Sequence, residues 1–139
     1  MADIPQGFEK LTRKSPFLEP IGPIYRKEVP PTLILGLRIE ERHTNARGFV
    51  HGGLISTICD IALGYALALH DTPPDSAVTV SLTTDLFGAA RIGDWLEVRA
   101  VAKRVGGNLA FSAADVTADG TPVAQARAVF KVSRKTGAT

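Results

Sequence analysis

Asp60 is the residue of this sequence whose surroundings most clearly suggest chemistry. It is the only charged side chain between Gly53 and Leu69, a helix-length segment that is otherwise mostly apolar. An ionised carboxylate is costly to bury among apolar side chains unless it has partners, which makes it a candidate catalytic group. Its neighbours one or two turns away on the same helix face, including Gly53, Thr57 and Gly64, are uncharged. We therefore predict a functional Asp60 rather than one member of a solvated row of charges.

The same segment opens on His51-Gly52-Gly53, which predicts a helix start with free backbone N–H groups. These groups lie at the positive end of the helix dipole and suit a carbonyl oxygen that gains negative charge in a transition state. Two nearby side chains, Asn45 and His51, each allow two interpretations. Asn45 either holds a substrate carbonyl or a water, or forms an Asx turn. His51 either acts as a base or caps the helix, and capping is the commoner role.

The spacing of these residues predicts a composite site. Gly53 and Asp60 share a helix face but lie about 10 Å apart along the axis, so they cannot both reach one reacting carbon from the same helix. A helix with no other charge is predicted to be buried all round, and a sheet covers only one side of it. We therefore expect a homodimer with interface active sites, in which Asp60 works with Gly53 of the partner subunit.

Composition excludes several other classes of protein. The chain has 139 residues, enough for one domain, and a net charge of only +2. Its dispersed basic residues argue against nucleic acid and weakly for a small anionic ligand. Cys59 is the only cysteine, so no intrachain disulfide is possible and a cytoplasmic protein is expected. We expect no membrane association, since the start of the chain lacks a signal-peptide pattern and the apolar segment is short for a bilayer.

Other catalytic chemistries fit the sequence less well. The histidines lack the spacing of a metal site, and no phosphate-binding loop, dinucleotide fingerprint or nucleophile elbow is present, so no metal and no cofactor are expected. Cys59 lies in mid-helix beside an anion, which discourages a reactive thiolate.

The secondary-structure elements predicted to position these residues indicate an α+β protein. Six of the nine prolines fall within residues 1–31, which therefore form an irregular arm, with a short helix predicted over Gln6–Lys14. The predicted elements that follow are a strand at Thr32–Arg42, a loop at His43–Val50, a helix from Gly53 to about His70, and strands at Ala77–Phe87, Trp95–Val105, Leu109–Ala118 and Thr121–Ser133. This order predicts a long central helix wrapped by a curved antiparallel sheet.

The segment from His43 to Gly64 closely resembles the hotdog-fold acyl-CoA thioesterases of the phenylacetic-acid-degradation (PaaI-like) group. Their signature is an Asn, then a Gly, then His-Gly-Gly, then an Asp within the central helix. The resemblance extends from about Leu33 to Val132. It implies a hotdog fold, with a Pro-rich N-terminal arm at 1–31 and a thioesterase domain at 32–135.

The resemblance also implies roles for individual residues. Asp60 is similar to the general base or nucleophile that attacks the thioester, and the Gly53 N–H to the group that polarises its carbonyl. Asn45 and His51 match positions that place that carbonyl or the water, and Thr79 one that orients the nucleophile. The region implied to hold the CoA nucleotide comprises Lys103, Arg104, Gly106, Gly107 and Asn108.

The resemblance predicts hydrolysis of acyl-CoA to free acid and CoA, with aryl or medium-chain acyl groups favoured, by a homodimer that pairs into a homotetramer. Relatives often carry an apolar-basic-Pro turn where this chain has Phe87 to Arg91, and the arm of this chain is longer than usual. The choice of acyl group therefore stays open. Two alternatives are a hotdog acyl-CoA hydratase or dehydratase and a non-catalytic acyl-CoA-binding dimer. The joint presence of Asn45, Asp60 and Thr79 favours the thioesterase.

Overall fold

The computed structural model describes residues 3–13 and 15–135, which form one antiparallel sheet packed around one main helix. The elements in chain order are β1 (Glu9–Lys10), β2 (Tyr25–Val29), β3 (Thr32–Arg38), a 3₁₀ turn (Glu41–His43), α1 (Gly52–Tyr65), a second 3₁₀ turn (Ala66–Leu69), β4 (Ser76–Leu86), β5 (Trp95–Val105), β6 (Leu109–Ala118) and β7 (Thr121–Ser133). The strands lie in the order β1-β2-β3-β5-β6-β7-β4. The predicted α+β architecture is confirmed.

The sheet approaches the helix closely because its inner face carries small side chains. Inward positions of β5, β6 and β7 hold a set of buried alanines, which are Ala100, Ala110, Ala114, Ala126 and Ala128. The helix fills the concave face with Leu54, Ile55, Ile58, Ala62 and Leu63, all buried. Small residues on one surface and large ones on the other give the interdigitated packing of a protein interior.

The opposite side of α1 is open in a single chain. Gly53, Thr57, Asp60, Ile61 and Gly64 are exposed or only half-buried, so one subunit buries only one side of the helix, and burial of the other side by a partner subunit stays a prediction. The sheet covers one side of the helix, and nothing in the described chain covers the other side completely. The 18 residues 52–69 are long and apolar enough to cross a membrane, but the core helix of a globular protein meets the same criterion.

The N-terminal arm is part of the sheet. The predicted helix over Gln6–Lys14 is wrong for its described residues, because Glu9 and Lys10 form β1 and pair with β2. Phe8 packs edge-on against Trp95, with ring centroids 5.2 Å apart. Strand β2 in turn pairs along its whole length with β3. The arm therefore adds two strands to the sheet of the predicted domain at 32–135.

Candidate active site

Asp60 is hydrogen-bonded to Thr79, the residue that the sequence suggested as its orienting partner. The Thr79 hydroxyl donates to Asp60 Oδ1 at 2.7 Å. Thr79 lies opposite Phe130 in the β4–β7 pairing, immediately before a shift of register at Ser81. Irregularities of this kind re-aim a side chain next to a site. No described residue donates a hydrogen bond to Oδ2 of Asp60, so one carboxylate oxygen is held and the other is open to water or substrate.

The helix start is capped by His51. Its Nδ1 accepts a hydrogen bond from the Gly53 N–H at 2.9 Å, so the capping interpretation of His51 is the one the structure supports. The Gly53 N–H, predicted to be free for a carbonyl oxygen, is occupied by this cap. The preceding Gly52 N–H has no acceptor among the described residues. A Cβ at Gly52 would lie 2.6 Å from Leu86 Cδ1, so a larger residue at this position would have to displace the end of the exposed Leu86 side chain.

Asn45 forms the Asx turn that was one of its two alternatives. Its Oδ1 accepts from the backbone N–H groups of Arg47 at 2.9 Å and Phe49 at 3.2 Å. The side chain is exposed, and its Nδ2 amide group donates to no described residue. Asn45 can therefore hold its loop and bind an oxygen at the same time.

Within one chain, the predicted catalytic groups lie at two separate places along α1. Asn45, His51 and the glycine amides lie at the start of α1, whereas Asp60 and Thr79 lie two turns further along. Seven residues of α-helix between Gly53 and Asp60 correspond to about 10 Å. The structure therefore brings Asp60 and Thr79 together but does not bring them to the helix start of the same subunit.

Two cavities meet at Asp60, and both have walls contributed by the N-terminal arm. The smaller has a volume of about 290 Å³ and the larger about 770 Å³. Ser15 and Leu18 of the arm line both of them, together with Ile61 of the helix. Sequence reasoning missed the arm residues, because no motif or spacing within the arm connects them with α1.

The five residues expected to hold CoA lie elsewhere in the single chain. None of Lys103, Arg104, Gly106, Gly107 and Asn108 lines either cavity at Asp60. Lys103 faces a shallow charged depression on the outer surface of the sheet with Arg99 and Arg127. The hairpin tip is instead linked towards β4 by Arg134, which donates to the carbonyl oxygens of Gly106 at 3.0 Å and Thr72 at 2.6 Å.

The basic side chain that does line a cavity at Asp60 is Arg13 of the arm. Its guanidinium lies over the ring of Tyr65, 5.6 Å from the ring centroid. An arginine held in this way is a candidate partner for an anionic group of a ligand, because its guanidinium stays charged.

Two further observations concern a possible cysteine nucleophile and a possible metal site. Burial, and after it the negative charge of Asp60, raises the pKa of the Cys59 thiol to about 12. Because the thiolate is the reactive form, Cys59 is a core residue rather than a nucleophile. Within the described residues, no three His, Cys, Asp or Glu side chains form a group that could hold a metal ion.

A curved sheet around one central helix, with a carboxylate on the open helix face, defines a hotdog-fold protein. Residues 47–125 match the family described as the thioesterase superfamily. A Pseudomonas aeruginosa protein named "putative esterase" is 44% identical over 131 residues, which are 94% of this chain and 98% of that one. Human acyl-coenzyme A thioesterase 13 is 33% identical over 100 residues, covering 70% of this chain and 71% of that protein.

A solved structure agrees with these relatives. Mouse thioesterase superfamily member 2 superposes with a TM-score of 0.70 at 30% identity, over 83% of this chain and 84% of that one. The chain belongs to the thioesterase superfamily, an enzyme family of thioester hydrolases, and both the fold and the family expected from the sequence are confirmed.

Proposed function

We propose that this protein hydrolyses acyl-CoA thioesters to free acid and CoA, with Asp60 as the general base or nucleophile. The hydrogen bond from Thr79 to Asp60 carries the proposal, because it fixes one carboxylate oxygen and leaves Oδ2 open. Acyl-CoA is supported by the 33% identity to human acyl-coenzyme A thioesterase 13.

The reaction balances with Asp60 in either role. As a base, Asp60 takes a proton from water while the water oxygen bonds to the thioester carbon. The C–S bond then breaks, and the CoA thiolate takes the proton from Asp60. As a nucleophile, the carboxylate bonds to the same carbon and displaces the thiolate. Water then cleaves the resulting anhydride to restore the carboxylate and release the acid, and the proton set free from water goes to the CoA thiolate.

The growing charge on the carbonyl oxygen requires donors that Asp60's own chain does not supply nearby. We assign this role to the helix start of the partner subunit, where Gly52 N–H has no acceptor among the described residues and Gly53 N–H is held by the His51 ring, which a substrate carbonyl would have to displace. The Asn45 amide is the side-chain donor of the same group. Donors pre-aimed at a developing oxyanion are among the largest contributions to enzymatic rates.

A homodimer supplies this second half. The open face of α1 requires a cover, and β4 is a sheet edge whose Val78 and Val80 are 67% and 63% exposed. Exposed apolar residues on an unpaired edge strand favour association with another chain. We further propose a homotetramer in the cytoplasm with a preference for aryl or medium-chain acyl groups, as the family resemblance and the single cysteine suggest.

A hydrolysis assay over a panel of acyl-CoA esters, with detection of the free thiol, tests the proposal. The wild type should release CoA without added metal. Asp60→Asn should keep the fold and lose activity by about 10²–10⁴-fold, the usual worth of general-base catalysis. The matched control is Asp71→Asn, which alters an exposed aspartate beyond the helix and outside both cavities.

Three results would overturn the proposal. Near wild-type turnover by Asp60→Asn would remove Asp60 from the chemistry. Loss of an enoyl-CoA substrate without free thiol would favour the hydratase alternative. Tight acyl-CoA binding with no turnover of any ester would favour a non-catalytic binding protein.

A further inference from the structure

The smaller cavity at Asp60 is walled by the N-terminal arm. Its apolar lining comes from Phe17 and Leu18 of the arm, Ile61 of α1 and Leu82 of β4. The Phe17 side chain is 66% exposed, although it is large and apolar. An exposed aromatic side chain at the rim of an apolar cavity is available to contact a ligand.

The arm is held in place by side chains from the loop that precedes α1. The three consecutive carbonyl groups of residues 20–22 all accept hydrogen bonds from that loop. Arg42 donates to the first and the third, and His43 Nε2 donates to the Ile21 carbonyl at 2.7 Å. His43 is itself buried. This contact, the Arg42–His43 clasp, makes the cavity wall a pre-formed part of the fold, which reduces the ordering cost of binding.

The lining and size of the cavity identify the part of a substrate that fits. The larger cavity combines charged groups, Arg13 and Asp75, with apolar ones such as Leu67 and Phe130, so it can receive a moiety that is partly polar. The smaller cavity offers an apolar wall that ends at the Asp60 carboxylate. Its volume of about 290 Å³, at roughly 30 Å³ for each water-sized group, corresponds to about ten carbon-sized groups. A medium-chain or aryl acyl group matches this size.

We propose that Phe17 and Leu18 of the arm, facing Ile61 and Leu82, recognise the acyl group and set which acyl-CoA the enzyme accepts. The proposal rests on the proposed function, because it takes the thioester to lie at Asp60. It assigns to the Pro-rich arm a specificity role that neither the motif around α1 nor the sheet supplies.

Binding of a non-hydrolysable probe tests this assignment without requiring turnover. The probe is a ketone analogue of octanoyl-CoA in which a methylene separates sulfur and carbonyl, and free CoA is the reference. The ratio of the Kd for CoA to the Kd for the probe measures the contribution of the acyl group. Phe17→Ala should lower this ratio by at least about tenfold, the range of discrimination by a hydrophobic pocket, and Phe17→Leu should restore part of it.

The matched control is Ile92→Ala. Ile92 is also a large apolar side chain at the surface, 54% exposed, and it lies outside both cavities. The ratio of this variant should equal that of the wild type. An unchanged ratio in Phe17→Ala, or a wild type that binds the probe no more tightly than CoA, overturns the assignment of the arm.

A second variant should extend the range of accepted acyl groups rather than weaken acyl binding. Leu18→Ala enlarges the cavity, so the acyl-CoA with the highest kcat/KM should become longer, with the shift carried mainly by KM. A folded Leu18→Ala enzyme with the wild-type chain-length profile contradicts the proposal. The two proposals can fail separately. Probe binding that depends on Phe17 without any hydrolysis refutes only the proposed function, whereas hydrolysis without any effect of the arm refutes only this assignment.

Discussion

Mixed dimers of two inactive variants should recover activity, because the two halves of the site lie about 10 Å apart along one helix. One variant is Asp60→Asn, which removes the base. The other is Asn45→Asp, which keeps an oxygen to accept from Arg47 and Phe49 N–H and so preserves the Asx turn, but removes the Nδ2 donor. Each homodimer then carries the same defect in both of its sites.

The geometry of a two-fold dimer fixes the size of the recovery. In a mixed dimer one composite site inherits both substitutions and the other inherits neither, so purified heterodimers should reach about half of the wild-type activity. Random exchange of equal amounts makes about half of the dimers mixed, so the whole mixture should reach about a quarter. Two affinity tags isolate the heterodimer, and thiol release gives the rate. Verified heterodimers without recovery, or a fully active monomer, would show that each chain builds its own site.

Two further predictions concern Asp60 and the residues beside it. Thr79→Val keeps the shape but removes the 2.7 Å hydrogen bond to Asp60. Bonds to charged groups are worth about 1.5–3 kcal/mol, and exposure favours the lower end, so kcat should fall about tenfold while Thr79→Ser stays close to wild type. Equal rates for the Val variant and the wild type would show that the hydroxyl does not orient the carboxylate. Because the pKa of the Cys59 thiol is raised to about 12, native protein at pH 8 should resist alkylation until it is denatured. The unfolded thiol loses its proton first, so the free energy of unfolding should fall as pH rises from about 9 towards 12, and less steeply in Cys59→Ala. Urea titrations across that range measure the slope, and identical slopes would contradict the assignment.

The sequence was sufficient to predict the strands and the helix that are marked by strong local patterns. Strands β5, β6 and β7 have the predicted bounds, because their hairpins are marked by turn residues. Asp119 and Gly120 take φ values of 47° and 85°, the left-handed region that an Asp-Gly pair tolerates well. The helix followed from its mostly apolar composition and the proline pair after it, although α1 ends at Tyr65 and the last predicted turn is a 3₁₀ turn at Ala66–Leu69. These elements form from local chemistry, so local patterns predict them.

The arm could not be predicted because distant residues determine its structure. Phe8 and Leu11 have helical spacing, but Phe8 packs on Trp95 and the neighbouring residues pair with β2 instead. Tertiary contacts override a weak local preference of this kind. The site shows the same limit. The Asp60–Thr79 pair followed from family resemblance, whereas the engagement of Gly53 N–H by the His51 ring depends on a side-chain rotamer that spacing does not determine.

The position of β4 in the sheet has a consequence for the order in which the protein is assembled. Strand β4 is synthesised before β5, β6 and β7, yet β7 is its only partner among the described strands, and Thr79 stands opposite Phe130. A nascent chain can therefore form α1 and expose Asp60 long before Thr79 has a strand to hold it. Contacts between residues so distant in sequence close large loops and form slowly. We therefore expect the hydrogen bond between the carboxylate and its hydroxyl partner to become stable only after β7 has paired with β4, late in folding.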